Sequence, residues 1–206
     1  WLSVFRDRGI EEIMGIDGTW MSNDILKISP ENFMSADLRN PLRTGRRFDL
    51  VVSLEVAEHL PEKCAETFVD SLTELGPVVV FSAAVPFQGG NNHINEQWPE
   101  YWTKLFRKRE YLPIDCIRKK IWNNKKICWW YAQNILLFVK KEHLTINKKL
   151  GYEFTKNYGP VLSLVHPDNY LSRIGIRSML IRKTPDPLLR LLKKIKKLGM
   201  QKKVRK

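Results

Sequence analysis

Apolar residues along the first half of the chain fall into two patterns with different periods. Short runs rich in β-branched side chains predict strands, and the stretches between them have the spacing of amphipathic helices. The predicted strands are Glu12–Ile16, Phe33–Ala36, Phe48–Leu54 and Val78–Ala84. The predicted helices are Trp1–Arg8, Pro61–Leu75 and Trp98–Arg107. Strands that alternate with helices in this way are typical of an α/β domain with a mainly parallel sheet.

The second half of the chain predicts a different end to this sheet. Leu112–Ile117 and Gln133–Val139 are two further apolar runs that predict strands, and the basic segment Arg118–Lys126 joins them. The simplest arrangement of two successive strands is an antiparallel hairpin. We therefore predict a mostly parallel sheet with a terminal antiparallel hairpin, in a domain that spans residues 1–140.

Residues 141–206 form a basic C-terminal extension that ends in an amphipathic segment. Apolar side chains recur at helical spacing over 188–198, with Arg and Lys between them, which predicts a helix there. The stripe consists of Leu188, Leu191, Leu192, Ile195 and Leu198. Residues 188–206 carry 9 Lys+Arg and no acid. We expect this segment to bind an anionic membrane surface, and a tail that grips RNA and an inert tail are the alternatives.

Charge divides the chain into an acidic and a basic half. Residues 1–100 carry 8 Lys+Arg against 16 Asp+Glu, a net charge of −8. Residues 101–206 carry 27 Lys+Arg against 6 Asp+Glu, a net charge of +21. This asymmetry favours a negatively charged partner for the second half, such as nucleic acid, anionic lipid or a phosphorylated substrate, and a solvated basic tail is the alternative.

The cysteines and the hydropathy of the chain bear on its location. Cys64, Cys116 and Cys128 form neither a CxxC pair nor an even set, which is typical of a reducing cytosol. There is no uncharged apolar run of about 18 residues, so the sequence predicts no transmembrane helix. We expect a cytoplasmic protein that binds peripherally to the inner face of the membrane through its basic end.

Polar side chains stand where the predicted strands end. Asp17 follows the first strand, Asp37 the second, and the third ends in Ser53-Leu54-Glu55. In an open α/β sheet, ligands bind beyond the carboxyl ends of the strands. A carboxylate at the end of a strand can accept hydrogen bonds from both hydroxyls of a ribose, although Asp also favours turns. The pattern therefore indicates a site for an adenosine-containing cofactor.

Three segments with these acids resemble successive motifs of class I S-adenosylmethionine-dependent methyltransferases. They are GIDG at 15–18, SADL at 35–38 and FDLVVSLEVAEHL at 48–60. The resemblance covers about residues 1–140 and implies a Rossmann-like fold with S-adenosylmethionine as the cofactor. It also implies that the family's first strand and its glycine-rich loop, which precede the helix ending near Arg8, are missing. We therefore expect an N-terminally truncated methyltransferase domain.

The resemblance also implies roles for individual residues on the adenosine side. Asp17, together with Gly18, is expected to bind the ribose hydroxyls. Asp37 is expected to hold the adenine amino group, with Ala36 and Leu38 beside the ring.

The methionine part of the cofactor is assigned to a different segment by the same resemblance. Ser53, Leu54 and Glu55 are expected to line the wall beneath it. In the family the absent glycine-rich loop cradles that end of the cofactor, and the absent strand lies at the centre of the sheet.

A candidate metal site overlaps this wall. Glu55, Glu58 and His59 have the spacing i, i+3, i+4, which places three side chains on one face of a turn. The ExxEH pattern is similar to metal-binding segments of small-RNA 2′-O-methyltransferases and ubiquinone-pathway O-methyltransferases. That similarity implies a Mg²⁺ site with His93 as a further ligand. The alternative is that no metal binds and the acids stabilise a helix start.

The segment from Gly89 to Trp98 carries the candidate catalytic residue, His93. A Gly-Gly loop brings His, Asn and Glu to the strand ends, and imidazole can take a hydroxyl proton near neutral pH. A purely structural histidine is the alternative. The segment HINEQWPEYW at 93–102 resembles methyltransferases encoded among bacterial and viral glycan-modification genes.

These observations predict O-methylation of a saccharide or lipid-linked glycan, with the acceptor as a small-molecule or glycan partner. A nucleic-acid (RNA 2′-O) methyltransferase is a less favoured alternative. A non-catalytic interaction module related to methyltransferases is the other alternative.

Overall fold

Six strands form two separate sheets in the computed structural model, which describes residues 1–172. The small sheet is the parallel pair β1 (Gly15–Asp17) and β2 (Phe33–Ser35). The large sheet has the order β3-β4-β6-β5. Its strands are β3 (Val51–Leu54), β4 (Val78–Ser82), β5 (Tyr111–Ile114) and β6 (Leu136–Lys140). With helices packed on these sheets, the protein has a mixed α/β fold.

The large sheet is mixed, whereas the sequence predicts one mostly parallel sheet. β3 and β4 are parallel, but β6 is antiparallel to both β4 and β5. The predicted antiparallel pairing of β5 and β6 is confirmed. β6 lies between β4 and β5, and among the described strands of this sheet it alone runs against the others.

Seven α-helices and four short 3₁₀ turns accompany these strands within residues 1–164. The helices are α1 (Leu2–Arg6), α2 (Ala65–Leu75), α3 (Pro99–Arg107), α4 (Arg118–Ile121), α5 (Trp129–Asn134), α6 (Lys141–Ile146) and α7 (Lys148–Lys156). The 3₁₀ turns are Asn23–Ile25, Pro30–Asn32, Ala57–His59 and Glu62–Cys64.

The connection between β5 and β6 differs from the predicted hairpin. The segment contains α4 and α5, and the predicted strand Gln133–Val139 begins only at Leu136 because Gln133 and Asn134 belong to α5. Both amide side chains are buried and hydrogen-bonded within the fold. The start of β6 is thus set by the tertiary contacts of these amides, and apolar periodicity alone places it too early.

Two hydrophobic clusters cover the two faces of the large sheet. Alternate residues of a strand point to opposite faces, and accordingly Val79 and Phe81 of β4 belong to the first cluster, whereas Val78 belongs to the second. α2 and α3 contribute to the first cluster, in which the rings of Phe106 and Phe138 are stacked 3.9 Å apart. Side chains of α6 and α7 pack on the second cluster.

The small sheet packs against the first cluster through Ile16 of β1, with Ala36 and Leu38 beyond the end of β2. The carboxyl ends of β1 and β2 are thereby fixed on the core that also carries β3 and β4. Both groups of candidate site residues belong to this one compact unit, which runs from Trp1 to Leu164.

The chain divides into two compact units, of which the first ends at Leu164. Residues from Val165 onward belong to a second unit, of which 165–172 are described and 167–172 are helical. The amphipathic helix predicted over 188–198 lies outside the described residues. In the described part of the chain, no helix combines the length and apolar character needed to cross a bilayer.

Arg118 is a buried charge that ties together three parts of the first unit. Its side chain is 1% exposed, and its guanidinium donates to both carboxylate oxygens of Asp115, at 2.9 and 2.7 Å. Nη1 also donates to the carbonyl oxygens of Gln133, at 3.3 Å, and Leu162, at 2.9 Å. A buried guanidinium is tolerated only when it is paired in this way. Arg118 therefore fixes the end of β5, α5 and the segment at residue 162 relative to one another.

Replacing Arg118 should reveal this role. We expect Arg118→Ala to lower the free energy of unfolding by roughly 3–5 kcal/mol, because it leaves a partly buried carboxylate and two carbonyls without their donor. Urea denaturation measures the change, and Lys119→Ala on the exposed face of the same helix is the matched control. Equal stability of the two variants would contradict the assignment.

Candidate functional site

The ends of β1 and β2 place the predicted adenosine-binding residues side by side. Asp17 pairs with Ser35, and the N–H of Ala36 donates to the carbonyl oxygen of Asp17 at 2.9 Å. The half-buried carboxylate of Asp17 accepts a bond from the N–H of Gly18 at 2.7 Å. The ring of Trp20 lies so close over Gly18 that a Cβ there would be 2.1 Å from it. A side chain at residue 18 would therefore displace the exposed ring of Trp20.

Asp37 has a partner that the sequence pattern did not reveal. Nε and Nη2 of Arg39 donate to its two carboxylate oxygens, at 2.8 and 2.7 Å. These bonds from Arg39 lower the pKa of Asp37 to about 2. The pair lies at the surface, and a carboxylate has about four acceptor positions. The N–H of Arg39 and Nδ2 of Asn40 also donate to this carboxylate, at 3.0 and 3.3 Å, so an adenine amino group would have to displace one of these donors.

The third group of predicted residues, Ser53-Leu54-Glu55, ends β3 in a constrained conformation. Glu55 has φ of 53°, in the left-handed region that non-glycine residues rarely adopt. Its N–H donates to both the carbonyl oxygen and Oγ of Ser82 at the end of β4, each at 3.0 Å. Ser53 is buried, and its hydroxyl oxygen has no hydrogen-bond partner among the described residues. Local strain of this kind persists only where the surroundings enforce it.

A buried amide network enforces the conformation of Glu55. Its carboxylate accepts bonds from Gln88 Nε2 and Asn134 Nδ2, both at 3.0 Å. Gln133 Nε2 and Asn134 Nδ2 then donate to Gln88 Oε1, at 3.0 and 2.9 Å. All three amide side chains are buried. The network joins the end of β3, the loop after β4 and α5.

Sequence reasoning missed this network. Gln88 stands in a Gly/Asn-rich segment that predicts only a loop, and Gln133 and Asn134 directly precede an apolar run. The two adjacent amides between Ala132 and Ile135 could have indicated the network, since uncharged polar residues in an apolar run need buried partners.

Three of the four predicted metal ligands meet beside this network. Glu58 and His59 lie on the 3₁₀ turn Ala57–His59, and His93 comes from the loop after β4. One potential ligand atom from each lies within 4.8 Å of the others. Glu55, the fourth predicted ligand, instead accepts hydrogen bonds from Gln88 and Asn134.

Each histidine in this group is oriented through Nδ1. His93 Nδ1 lies 3.0 Å from Glu96 Oε1, and His59 Nδ1 lies 3.3 Å from the carbonyl oxygen of Asn92. Because these oxygens accept, we assign the ring proton to Nδ1 and the free lone pair to Nε2. The two rings meet edge to face with centroids 4.9 Å apart.

Glu58 is a buried acid with unusual surroundings. Its side chain is 0% exposed, and its carboxylate oxygens have no hydrogen-bond partner in the described part of the chain. Burial, and secondarily the charge of Glu55, raises the pKa of Glu58 to about 8. Its main-chain carbonyl accepts bonds from the N–H groups of Ile94 and Asn95, at 2.9 and 3.0 Å. The turn with Glu58 and the loop with His93 are therefore fastened together.

Comparison of the sequence with family models and with curated proteins assigns no family to this chain. No protein-family model matches the chain, and no curated protein matches it in sequence. The function is therefore inferred from the residues and contacts of this chain.

Glu58→Gln keeps the shape of the side chain and removes the titrating carboxyl. The folded protein binds the Glu58 proton more tightly than the unfolded chain does. Its contribution to stability is therefore full below pH 4.5 and lost as the pH rises to about 8. We compare the free energy of unfolding of the wild type with that of Glu58→Gln, both in EDTA. The wild-type value should fall relative to the variant between pH 4.5 and about 8, by at most about 1.4 kcal/mol per pH unit.

Urea denaturation at a series of pH values measures this difference. Glu74→Gln, at an exposed position on α2, is the control and should show no such slope. A gap between wild type and Glu58→Gln that does not change with pH would contradict the assignment.

Proposed function

We propose that this chain is a class I S-adenosylmethionine-dependent methyltransferase domain that methylates an oxygen of a saccharide or lipid-linked glycan. Bound S-adenosylmethionine supplies an electrophilic methyl group. The residues of the chain bind the cofactor, align the acceptor and help to remove the proton from its hydroxyl.

The division between the two sheets is the observation that carries this proposal. In a doubly wound sheet of order 3-2-1-4-5-6, the first strand lies between the second and the fourth. Suppose that β1 and β2 correspond to the second and third strands of that order, and β3 and β4 to the fourth and fifth. The gap between the small and the large sheet then falls where the first strand of that order would lie. The sequence resemblance implies the same correspondence independently.

The residues at the strand ends fit the adenosine part of the cofactor. Asp17 ends β1 and Asp37 lies two residues beyond β2, so the two acids lie at the ends of neighbouring parallel strands, as a ligand that spans a ribose and a base requires. Ala36 and Leu38, the neighbours of Asp37 in the chain, are half-buried and can flank a flat ring. On the methionine side, the buried hydroxyl of Ser53 has no hydrogen-bond partner among the described residues, and a ligand can satisfy it.

The loop after β4 fits the acceptor side. Glu96 holds the imidazole of His93 in one orientation, so that Nε2 can face a hydroxyl. The side chains of Phe87 and Ile94 in the same loop are 86% and 62% exposed. Exposed apolar groups beside an oriented imidazole suit a sugar ring, which has both apolar faces and hydroxyls. We therefore propose that His93 activates the acceptor hydroxyl.

A nucleic-acid 2′-O-methyltransferase is the second candidate. The group Glu58, His59 and His93 favours it, because a similar pattern occurs in small-RNA 2′-O-methyltransferases. The net charge of +21 over residues 101–206 would also attract phosphates, and binding to RNA would then weaken steeply with salt. A non-catalytic interaction module is the third candidate, and it predicts no methyl transfer to any acceptor.

The basic segment 188–206 suggests where a glycan methyltransferase would work. It carries 9 Lys+Arg and no acid, and each basic residue near an anionic bilayer contributes about 1 kcal/mol. We propose that it attaches the protein peripherally to a cytoplasmic membrane face, where a lipid-linked acceptor is accessible.

Cofactor binding tests the adenosine side. We expect Asp17→Ala to weaken binding of S-adenosylhomocysteine by about 1–3 kcal/mol, roughly 5- to 150-fold, because ribose hydroxyls lose their acceptor. Isothermal titration calorimetry measures the affinity, and thermal unfolding confirms that the variant is folded. Asp7→Ala, at the end of α1, is the control. Unchanged affinity in Asp17→Ala would refute the assignment.

Methyl transfer tests the acceptor side. With a cofactor labelled in its methyl group, we expect label to enter a saccharide or lipid-linked glycan and not RNA. His93→Ala should lower turnover by about 100-fold or more if this residue activates the hydroxyl, with cofactor affinity unchanged. His143→Ala on α6 is the control. Full activity of the His93 variant would leave that residue with a structural role only, and labelled RNA would favour the second candidate.

A further inference from the structure

The group formed by Glu58, His59 and His93 differs from an ordinary cluster of polar side chains. Its potential ligand atoms lie within 4.8 Å of one another, although the residues come from two separate segments. One of them, Glu58, is completely buried, and its carboxylate oxygens make no hydrogen bond within the described residues. A buried carboxyl of this kind either keeps its proton or, when it is ionised, needs a cation beside it. We infer that these three residues bind a first-row transition-metal ion, with Zn²⁺ as the best match, rather than Mg²⁺.

The choice of ion follows from the donor atoms. Mg²⁺ prefers oxygen ligands and retains several waters, so two imidazoles among three ligands do not suit it. Imidazole nitrogen suits Zn²⁺ and the neighbouring transition metals, and two histidines with one glutamate are a known set for Zn²⁺. Glu55, which would make the site richer in oxygen, is held by Gln88 and Asn134.

The hydrogen bonds around the histidines support metal binding independently. Metal-binding histidines usually donate their other ring N–H to a carboxylate or a carbonyl oxygen, which fixes the tautomer. Here Glu96 accepts from His93 and the carbonyl of Asn92 accepts from His59. With the proton on Nδ1, the Nε2 atom of each ring keeps its lone pair for a metal ion.

The backbone keeps the three ligands in place. The N–H groups of Ile94 and Asn95 bind the main-chain carbonyl of Glu58, which couples the loop to the turn. A Cβ at Gly90 would lie 2.2 Å from His93 Nε2, so the loop passes close to the imidazole only because residue 90 is glycine. Asn92 has φ of 60°, in the left-handed region, and its carbonyl oxygen lies 3.3 Å from Nδ1 of His59.

Three protein ligands leave at least one coordination position for another molecule. His59 is exposed, so this position is accessible from solvent. If the proposed methyltransferase function holds, an acceptor hydroxyl that occupies the position becomes more acidic, and His93 then acts as a ligand rather than as a base. This role depends on the proposed function, whereas metal binding itself does not.

Metal binding by chelator-treated protein, without cofactor or acceptor, tests the inference. We expect one equivalent of Zn²⁺ to bind, measured by competition with a chromophoric chelator, and to raise the melting temperature. Mg²⁺ at the same concentration should do neither. Co²⁺ should give the visible absorption of a low-coordinate nitrogen- and oxygen-ligated ion.

Variants locate the bound ion. Glu58→Gln, His59→Asn and His93→Asn should each weaken Zn²⁺ binding by at least about 100-fold, and Glu96→Gln by about 10-fold through the orientation of His93. His143→Asn should have no effect. Circular dichroism of each metal-free variant separates loss of ligand from loss of fold, and Glu58→Gln is the most conservative of the three.

Three results would overturn the inference. They are absence of Zn²⁺ binding by the wild type, binding that persists in both histidine variants, and Mg²⁺ bound in preference to Zn²⁺. Because no cofactor is present, failure here is distinguishable from failure of the proposed methyl transfer, which S-adenosylhomocysteine binding and the labelling assay report separately.

Discussion

The half-buried carboxylate of Glu55 is fixed by hydrogen bonds from buried amide side chains, and the rest of the candidate site depends on this arrangement. Glu55 can adopt its left-handed backbone because Ser82 holds its N–H while Gln88 and Asn134 hold its side chain. The turn that follows then directs Glu58 inward and leaves His59 exposed. A fully satisfied polar network of this kind specifies one arrangement of the surrounding core more strictly than apolar contacts do.

The two sheets assign different tasks to the two halves of the site. The small sheet brings Asp17 and Asp37 together beside an exposed Arg39, a polar surface suited to a nucleoside. The large sheet carries the strained end of β3, the buried acid Glu58 and the two histidines, which hydrogen bonds orient. In the proposed function, binding and chemical activation would be divided between structural elements that share one hydrophobic core.

Much of the fold could be predicted from the sequence, because apolar runs and helical spacing depend on local pattern. The pattern predicts all six described strands and the helices α1, α2 and α3, with boundaries that differ by a few residues. α5 was missed because the apolar run that starts at Ile135 conceals the end of the preceding helix.

The site was less predictable for a related reason. The sequence indicated Glu58, His59 and His93 through their spacing and residue types. It could not show that Glu58 is buried, since acids are ordinarily exposed, nor that Glu55 faces amides from segments 33 and 79 residues away. Such contacts depend on the tertiary fold rather than on any local pattern.

Gln133 has one further consequence, which concerns how the protein can change during evolution. Its main-chain carbonyl accepts from Arg118, whereas its side chain donates to Gln88 in the network around Glu55. Gln133 therefore takes part both in the hydrogen bonds of Arg118 and in the network around Glu55. Substitutions near Arg118 and near Glu55 should have non-additive effects on stability, as expected for residues in one hydrogen-bonded network. Substitutions that alter the site are therefore limited to those that keep the hydrogen bonds of Arg118. This protein should acquire new specificity through its exposed loop rather than through the strand ends.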